Sequence, residues 1–322
     1  MNYINEEHLN NIGIDWNETV DVIQDTVECI KDADFSQPIK PYLRYNNLNN
    51  RIIAMPAYVG GRVSMSGIKW IASFPENINL GIPRAHSVVI LNNAATGKPE
   101  AIINTPLLSV IRTASVSGLM IRRFLESRSR EKLSLGIIGF GPIGQYHLNM
   151  AMGMLGEKLD KVYLYDIKGI DLNALPEAVR NKVTIVNRWE EAYMDADIFI
   201  TCTVSKAPYI NVAPKRGSLH LNVSLRDYSV DTYEYFKGAI IVDDWEEVCR
   251  ENTDIENMHR EKGLVEEDTI SLKELISCDK LNDINSESAI LFNPMGMASF
   301  DIAIGKFFLD RAISSGQLIS LN

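Results

Sequence analysis

Leu133-Ser134-Leu135-Gly136-Ile137-Ile138 runs without a break into Gly139-Phe140-Gly141-Pro142-Ile143-Gly144. The first six residues, mostly apolar, predict a strand covered on both faces. The G-x-G-x-x-G that follows predicts a tight turn opening a helix over 145–155. Each glycine has its own duty in such a turn: Gly139 permits the reversal, Gly141 removes a Cβ that would strike a pyrophosphate, and Gly144 lets helix and strand pack closely. The helix start, with Pro142 and Ile143, presents unpaired N–H groups and a positive dipole end to phosphate. The next strand, 161–165, ends at Asp166. A carboxylate there binds the ribose hydroxyls of NAD and repels the extra phosphate of NADP, so the expected cofactor is NAD.

Working outward, the segments 197–202, 218–223 and 239–242 are further short apolar runs separated by helical or loop-like stretches. That alternation predicts an α/β fold, a Rossmann doubly wound parallel sheet. The first hundred residues read differently, as mixed α+β. Trp16, Val20, Ile23, Val27 and Ile30 recur at helical spacing behind Asp15, a capping residue, and predict a helix over 16–33. Strand-like pieces follow at 41–45, 51–55 and 64–73. A hairpin is expected from 87–91 and 99–104, which bracket a turn ending in Gly97. Thr105-Pro106 supplies an N-cap and a proline at N1 for a helix to about residue 125. The polar stretch 127–132 reads as a connection between domains, and 301–314 as a last helix stopped by Gly316.

Bulk composition narrows the function classes. The 322 residues are 46% hydrophobic and 23% charged, ordinary for a globular enzyme, with a formal net charge of −10. A net acidic body does not favour nucleic acid or an anionic membrane as partner. No apolar run approaches the roughly 20 residues that span a bilayer. The N-terminal stretch carries Glu6 and Glu7 and no apolar signal core, so a cytoplasmic location is expected. Cys29, Cys202, Cys249 and Cys278 lie far apart, the usage of buried thiols in a reducing compartment. The histidines lack metal spacing, so no metal is assigned, and no G-x-S-x-G elbow points to a nucleophilic serine.

On the substrate side, Lys69 lies among Ile68, Trp70 and Ile71, an unusual setting for an ammonium that reads as functional or as an edge lysine. Arg44 and Arg112 suit bidentate carboxylate binding, and equally well ordinary surface pairs. Asp227 follows the strand 218–223, at the strand end that faces the cofactor crevice in such sheets. It is a candidate proton carrier there, or simply a turn aspartate.

Longer segments carry a resemblance. Lys40-Pro41-Tyr42-Leu43-Arg44, Ser66-Gly67-Ile68-Lys69-Trp70-Ile71, Arg112-Thr113-Ala114-Ser115-Val116, Cys202-Thr203-Val204, Val242-Asp243-Asp244-Trp245 and Asn293-Pro294-Met295-Gly296-Met297-Ala298, with Asp301 following, resemble the ornithine cyclodeaminase and mu-crystallin family. The likeness runs over nearly the whole chain and is strongest to a branch that makes 2,3-diaminopropionate. It implies a substrate and dimerisation domain from 1–126 and 300–322, a Rossmann domain over 127–299, and a homodimer. It further implies that Arg44, Lys69 and Arg112 bind a small amino-acid substrate and that Lys69 and Asp227 are catalytic. Thr113, Thr203, Val204 and Gly296 then join the glycine loop and Asp166 at the cofactor. The implied activity is NAD-dependent oxidative cleavage of an N-(aminocarboxyethyl)glutamate. Within the same resemblance, a cyclodeaminase, an imino-acid reductase and a non-catalytic nucleotide-binding protein are the alternatives. Asn104 stands where that branch has an acid before the arginine helix.

Overall fold

The computed structural model describes residues 1–277 and 280–321; Cys278 falls outside them. The chain forms two compact units, Met1–Arg112 with Gly296–Asn322, and Thr113–Met295. In chain order the strands are β1 (Asn2–Asn5), β2 (Phe35–Ser36), β3 (Tyr42–Leu43), β4 (Arg51–Val59), β5 (Met65–Ser73), β6 (Ala85–Asn93) and β7 (Pro99–Asn104). These are followed by β8 (Leu133–Ile138), β9 (Leu159–Tyr165), β10 (Val183–Ile185), β11 (Ile198–Thr201) and β12 (Leu219–Asn222). Then come β13 (Ile240–Val242), β14 (Thr269–Ser271), β15 (Ile290–Asn293) and β16 (Ile319–Ser320).

In the first unit the sheet order is β16-β1-β7-β6-β5-β4-β2, with β3 also on β4. Pairing is antiparallel except between β1 and β7. Helix Trp16–Lys31 begins where Asp15 accepts the N–H groups of Asn17 and Glu18, and it buries Val20, Ile23 and Val27, the stripe its spacing predicts. Helix Ala298–Ser315 packs on β4, β5, β6 and that first helix. It starts before residue 301 and ends at Gly316, which is left-handed at φ 71°. The hairpin forms as expected, with Gly97 at φ 72°. β4 departs from expectation: it continues through Pro56 to Val59 instead of stopping at Met55. Its outer edge pairs with β3 at Ile52 and Ile53 and with β2 at Tyr58 and Val59. Pro56 falls in the gap between those pairings, where its missing N–H forfeits no ladder bond.

Helix Leu107–Ser127 carries the chain from the first unit into the second. Thr105 caps it, its Oγ1 accepting the Leu107 N–H at 3.0 Å. Asn104 takes no part in the cap; its side chain donates to the Tyr3 hydroxyl at 3.1 Å.

Among the described residues, the sheet of the second unit has eight strands in the order β10-β9-β8-β11-β12-β15-β13-β14, every neighbouring pair parallel. β11, β12, β13 and β15 are buried along their whole length, and burial on both faces is why β11 and β13 read as short apolar runs. Strand order reverses between β8 and β11, and ligands of doubly wound sheets bind outside the carboxyl ends at such a switch. The sequence reading does not include β10, β14 and β15. Among the described cysteines, Cys29 is buried but Cys202 and Cys249 are partly exposed, correcting the expectation of buried thiols throughout. Among the described residues, no helix is long and apolar enough to cross a membrane.

Candidate functional site

In the second unit, the loop after β8 is built around its glycines. Gly139 has φ +84°, and a Cβ there would lie 2.6 Å from the Cys202 carbonyl oxygen at the end of β11. A Cβ on Gly144 would lie 2.1 Å from the Gly139 oxygen. Gly141 differs: nothing stands within 4 Å of its added Cβ. It is also the N-cap of helix Pro142–Leu155, with no side chain to satisfy the first N–H groups and Pro142 at the first position. Two glycines are thus spent on packing, while the third keeps open the space in front of a helix N-terminus. The helix starts three residues earlier than expected because proline's fixed φ suits its first turn.

Asp166, just past β9, ties the loop down. Its Oδ2 accepts the Phe140 N–H at 2.7 Å and its Oδ1 the Lys168 N–H at 2.8 Å. On the other side of the switch, Thr203 is half-buried and Val204 is 71% exposed. Thr113 lies half-buried on the long helix. Open space over Gly141, uncapped N–H groups and a carboxylate at the second strand end fit a dinucleotide diphosphate and its ribose.

Asp227 is fully buried beyond β12. Its carboxylate accepts from the Thr203 hydroxyl at 2.6 Å and from Ser224. Burial pushes its pKa up, against the lowering effect of the hydrogen bonds from Ser224 and Thr203. Close by, Asp254 is also buried and pushed up to about 7, first by burial, with the Asp227 charge adding to it. Sequence reasoning missed Asp254, which carries no motif and reaches Asp227 only through tertiary hydrogen bonds.

The first unit gathers cations. Lys69, on β5 between the buried residues Met55 and Val89 of the neighbouring strands, is 2% exposed. Its Nζ donates to Asp301 Oδ1 at 2.9 Å, and Arg112 Nε donates to the same oxygen at 3.1 Å. Lys40, 3% exposed, donates to the Gly296 carbonyl at 2.8 Å. Gly296 sits at φ +88°, and a Cβ there would fall 2.4 Å from an Arg112 terminal nitrogen, so glycine lets that guanidinium occupy its place. Burial drives Lys69 down to about 8; Asp301 opposes that fall, and Arg112 and Lys40 deepen it. Two buried cations, Lys69 and Arg112, share one buried carboxylate, with Lys40 held close by on the Gly296 carbonyl. Lys69 is therefore no edge lysine, and Arg112 no surface pair. Arg44 is exposed, its guanidinium 4.9 Å from the Tyr42 ring centroid. Lys40 and Asp301 belong to the cluster although the residue pattern assigned neither a role.

A parallel sheet with a glycine-lined cradle in the second unit, and a cluster of buried cations in the first, define a Rossmann-type chain with a second, mixed α+β unit. The chain belongs to the ornithine cyclodeaminase/mu-crystallin family, whose family model matches residues 9–316. It is 31% identical to the N-((2S)-2-amino-2-carboxyethyl)-L-glutamate dehydrogenase of Staphylococcus aureus, over 100% of this chain and 98% of that protein. Its fold is that of the Thermococcus litoralis Δ1-pyrroline-2-carboxylate reductase solved with NADH and L-proline, with a TM-score of 0.86 at 22% identity over 100% of both chains. An archaeal alanine dehydrogenase dimer with bound NAD superposes with a TM-score of 0.83 at 22% identity, over 100% of this chain and 99% of that one.

Proposed function

We propose that the chain is an NAD-dependent oxidoreductase that converts N-(2-amino-2-carboxyethyl)-L-glutamate, NAD+ and water into 2,3-diaminopropionate, 2-oxoglutarate and NADH. The observation that carries this reading is the pair of buried cations Lys69 and Arg112 on one oxygen of Asp301. Two cations on one carboxylate leave positive charge suited to a substrate that carries carboxylates.

When bound, NAD+ supplies the acceptor for the hydride on the glutamyl α-carbon. Gly141, the helix start at Pro142 and Ile143, and Asp166 hold its diphosphate and ribose in this reading, with Thr113, Thr203, Val204 and Gly296 as further cofactor neighbours. Lys69 and Arg112 orient the substrate carboxylates, with Arg44 as an outer contact. Asp227, buried and short of cationic partners in its hydrogen bonds, manages the proton. It takes the proton from the secondary amine as the C=N bond forms, then returns it to the departing nitrogen after water has added to carbon. The C–N bond breaks, releasing the diamine and the 2-oxo acid.

The unit of function in this reading is a homodimer. The outer face of the first sheet supports it: Ile52, Ala54, Pro56, Tyr58 and Ile68 are only half-buried there, and Trp70 is 45% exposed, an apolar surface of the kind that pairs with a second copy.

Absorbance at the NADH band, with the aminocarboxyethyl-glutamate as substrate, tests the activity. The expected result is one NADH per 2-oxoglutarate. Ammonia release from ornithine without net NADH identifies a cyclodeaminase instead. NADH consumption with a cyclic imino acid, and none produced from the glutamate derivative, identifies a reductase. Binding of NAD without turnover of any of these makes the chain a nucleotide-binding protein.

A further inference from the structure

The turn that carries Asp227 is held by a residue to which nothing above assigns a role. Asp254 opens helix Asp254–Lys262, where Thr253 is the N-cap. Its own N–H donates to the Leu225 carbonyl at 2.8 Å. Its Oδ2 accepts the N–H of Asp227 at 3.1 Å and that of Tyr228 at 3.0 Å. It therefore grips the turn from both sides, through one donor and one acceptor. The turn needs gripping, because Leu225 sits at φ +65°, a conformation that costs a branched side chain of its kind free energy.

Asn222 completes the grip. Its Nδ2 donates to Asp254 Oδ2 at 2.9 Å and to Asn293 Oδ1 at 2.8 Å, and its Oδ1 accepts the Leu225 N–H at 3.0 Å. Asp254 Oδ1 is buried with no hydrogen-bond partner among the described residues. A buried carboxyl with one oxygen unsatisfied is a costly way to build a turn. The helix start does not need it, because Thr253 already caps the helix by accepting the Glu256 N–H.

We propose that Asp254 is the positioning residue of the proposed acid: it latches residues 225–228 so that Asp227 is aimed at the reacting nitrogen, acting only through Asp227. This rests on the function proposed above for Asp227. It adds the second carboxyl to that site and assigns the pair unequal tasks, proton transfer to Asp227 and aim to Asp254.

The test is a double-mutant cycle read by turnover and by hydrogen exchange. Asp254→Ala lowers kcat by about 10²-fold, of the size expected when a catalytic group is misplaced by about an ångström, with KM and NAD affinity within threefold of the wild type. Asp254→Asn, whose amide oxygen still accepts both N–H groups, recovers kcat to within about fivefold. In an Asp227→Asn background, Asp254→Ala has no further effect, since the group it aims is gone. Peptides covering 225–229 exchange their amide protons at least tenfold faster in Asp254→Ala than in the wild type or in Asp254→Asn. Additive losses in the double variant, or unchanged exchange at 225–229, overturn the proposal. If the wild type makes no NADH from the glutamate derivative, the functional reading fails on its own, and the exchange arm still decides the latch.

Discussion

Lys69 and Asp301 stand 232 positions apart in the chain, and their side chains meet at 2.9 Å with neither more than 2% exposed. The pair joins the middle of an antiparallel sheet to the last long helix. It also sets the charge of the cation cluster, because Arg112 shares the same oxygen.

Removing that shared carboxylate leaves buried cations without a counter-ion. Asp301→Asn is expected to destabilise the protein by about 3–5 kcal/mol, the usual cost of breaking a buried pair from one side. Urea unfolding of variant and wild type measures it. A change below 1 kcal/mol would show that the pair does not hold helix and sheet together.

The titration of Lys69 near pH 8 gives substrate binding a pH dependence. Below that value Lys69 is charged and holds a carboxylate; above it the charge is lost, so KM should rise about tenfold per pH unit until Lys69 ceases to contribute. The stability effect has the opposite sense. Between about 8 and the ordinary lysine value of 10.5 the unfolded chain binds the proton that the folded chain has released, so this group's contribution to stability rises with pH. A KM that stays flat from pH 7 to pH 9 rules out a substrate role for the ammonium.

Two alanine substitutions in the glycine loop should separate packing from binding. Gly141→Ala places its methyl in open space at φ −69°, an angle alanine accepts. The melting midpoint should therefore hold while NAD affinity falls by at least tenfold, by titration calorimetry. Gly144→Ala pushes its methyl against the Gly139 carbonyl, so stability itself should fall by about 1–3 kcal/mol. Equal NAD affinity in Gly141→Ala and the wild type would remove the diphosphate from that space.

Acid should weaken the second unit through a histidine. His147 is fully buried; its Nδ1 lies 2.8 Å from the Ile143 carbonyl and its Nε2 3.0 Å from the Ser117 hydroxyl, an arrangement for the neutral ring. Burial lowers its pKa to about 4 from 6.5, outweighing the bond to Ile143. As pH falls from 6.5 toward 4, the unfolded chain takes up a proton that the folded chain refuses. Stability is therefore lost across that window, by about 3 kcal/mol in full. His147→Gln should flatten the melting midpoint between pH 6.5 and pH 4 relative to the wild type; parallel curves would discharge His147 from acid unfolding.

How legible the molecule was from its sequence depended on whether a signal was local. The strand β8, the glycine loop and the helix behind it were readable because close backbone approach demands glycine at particular steps. Asp15 and Thr105 announced their helices because a cap acts within three residues. β4 was cut short at Pro56, since proline's cost depends on whether a neighbouring strand needs its N–H, and a neighbour is not a local property. Lys69 stood out as a cation among apolar residues. Lys40 did not, because its burial comes from the fold around it.

The chain's own order of residues determined the parallel sheet of the second unit and the phosphate-type turn, consequences of periodicity and steric need within a few residues, and it marked Lys69 as a cation set among apolar neighbours. Only the tertiary structure decided that Asp301 answers Lys69 and Arg112, that Gly296 makes room for a guanidinium, and that Asp254 grips the turn of Asp227. Those relationships are closed by packing between segments far apart in the chain, where burial, and not sequence spacing, selects which polar groups must find each other.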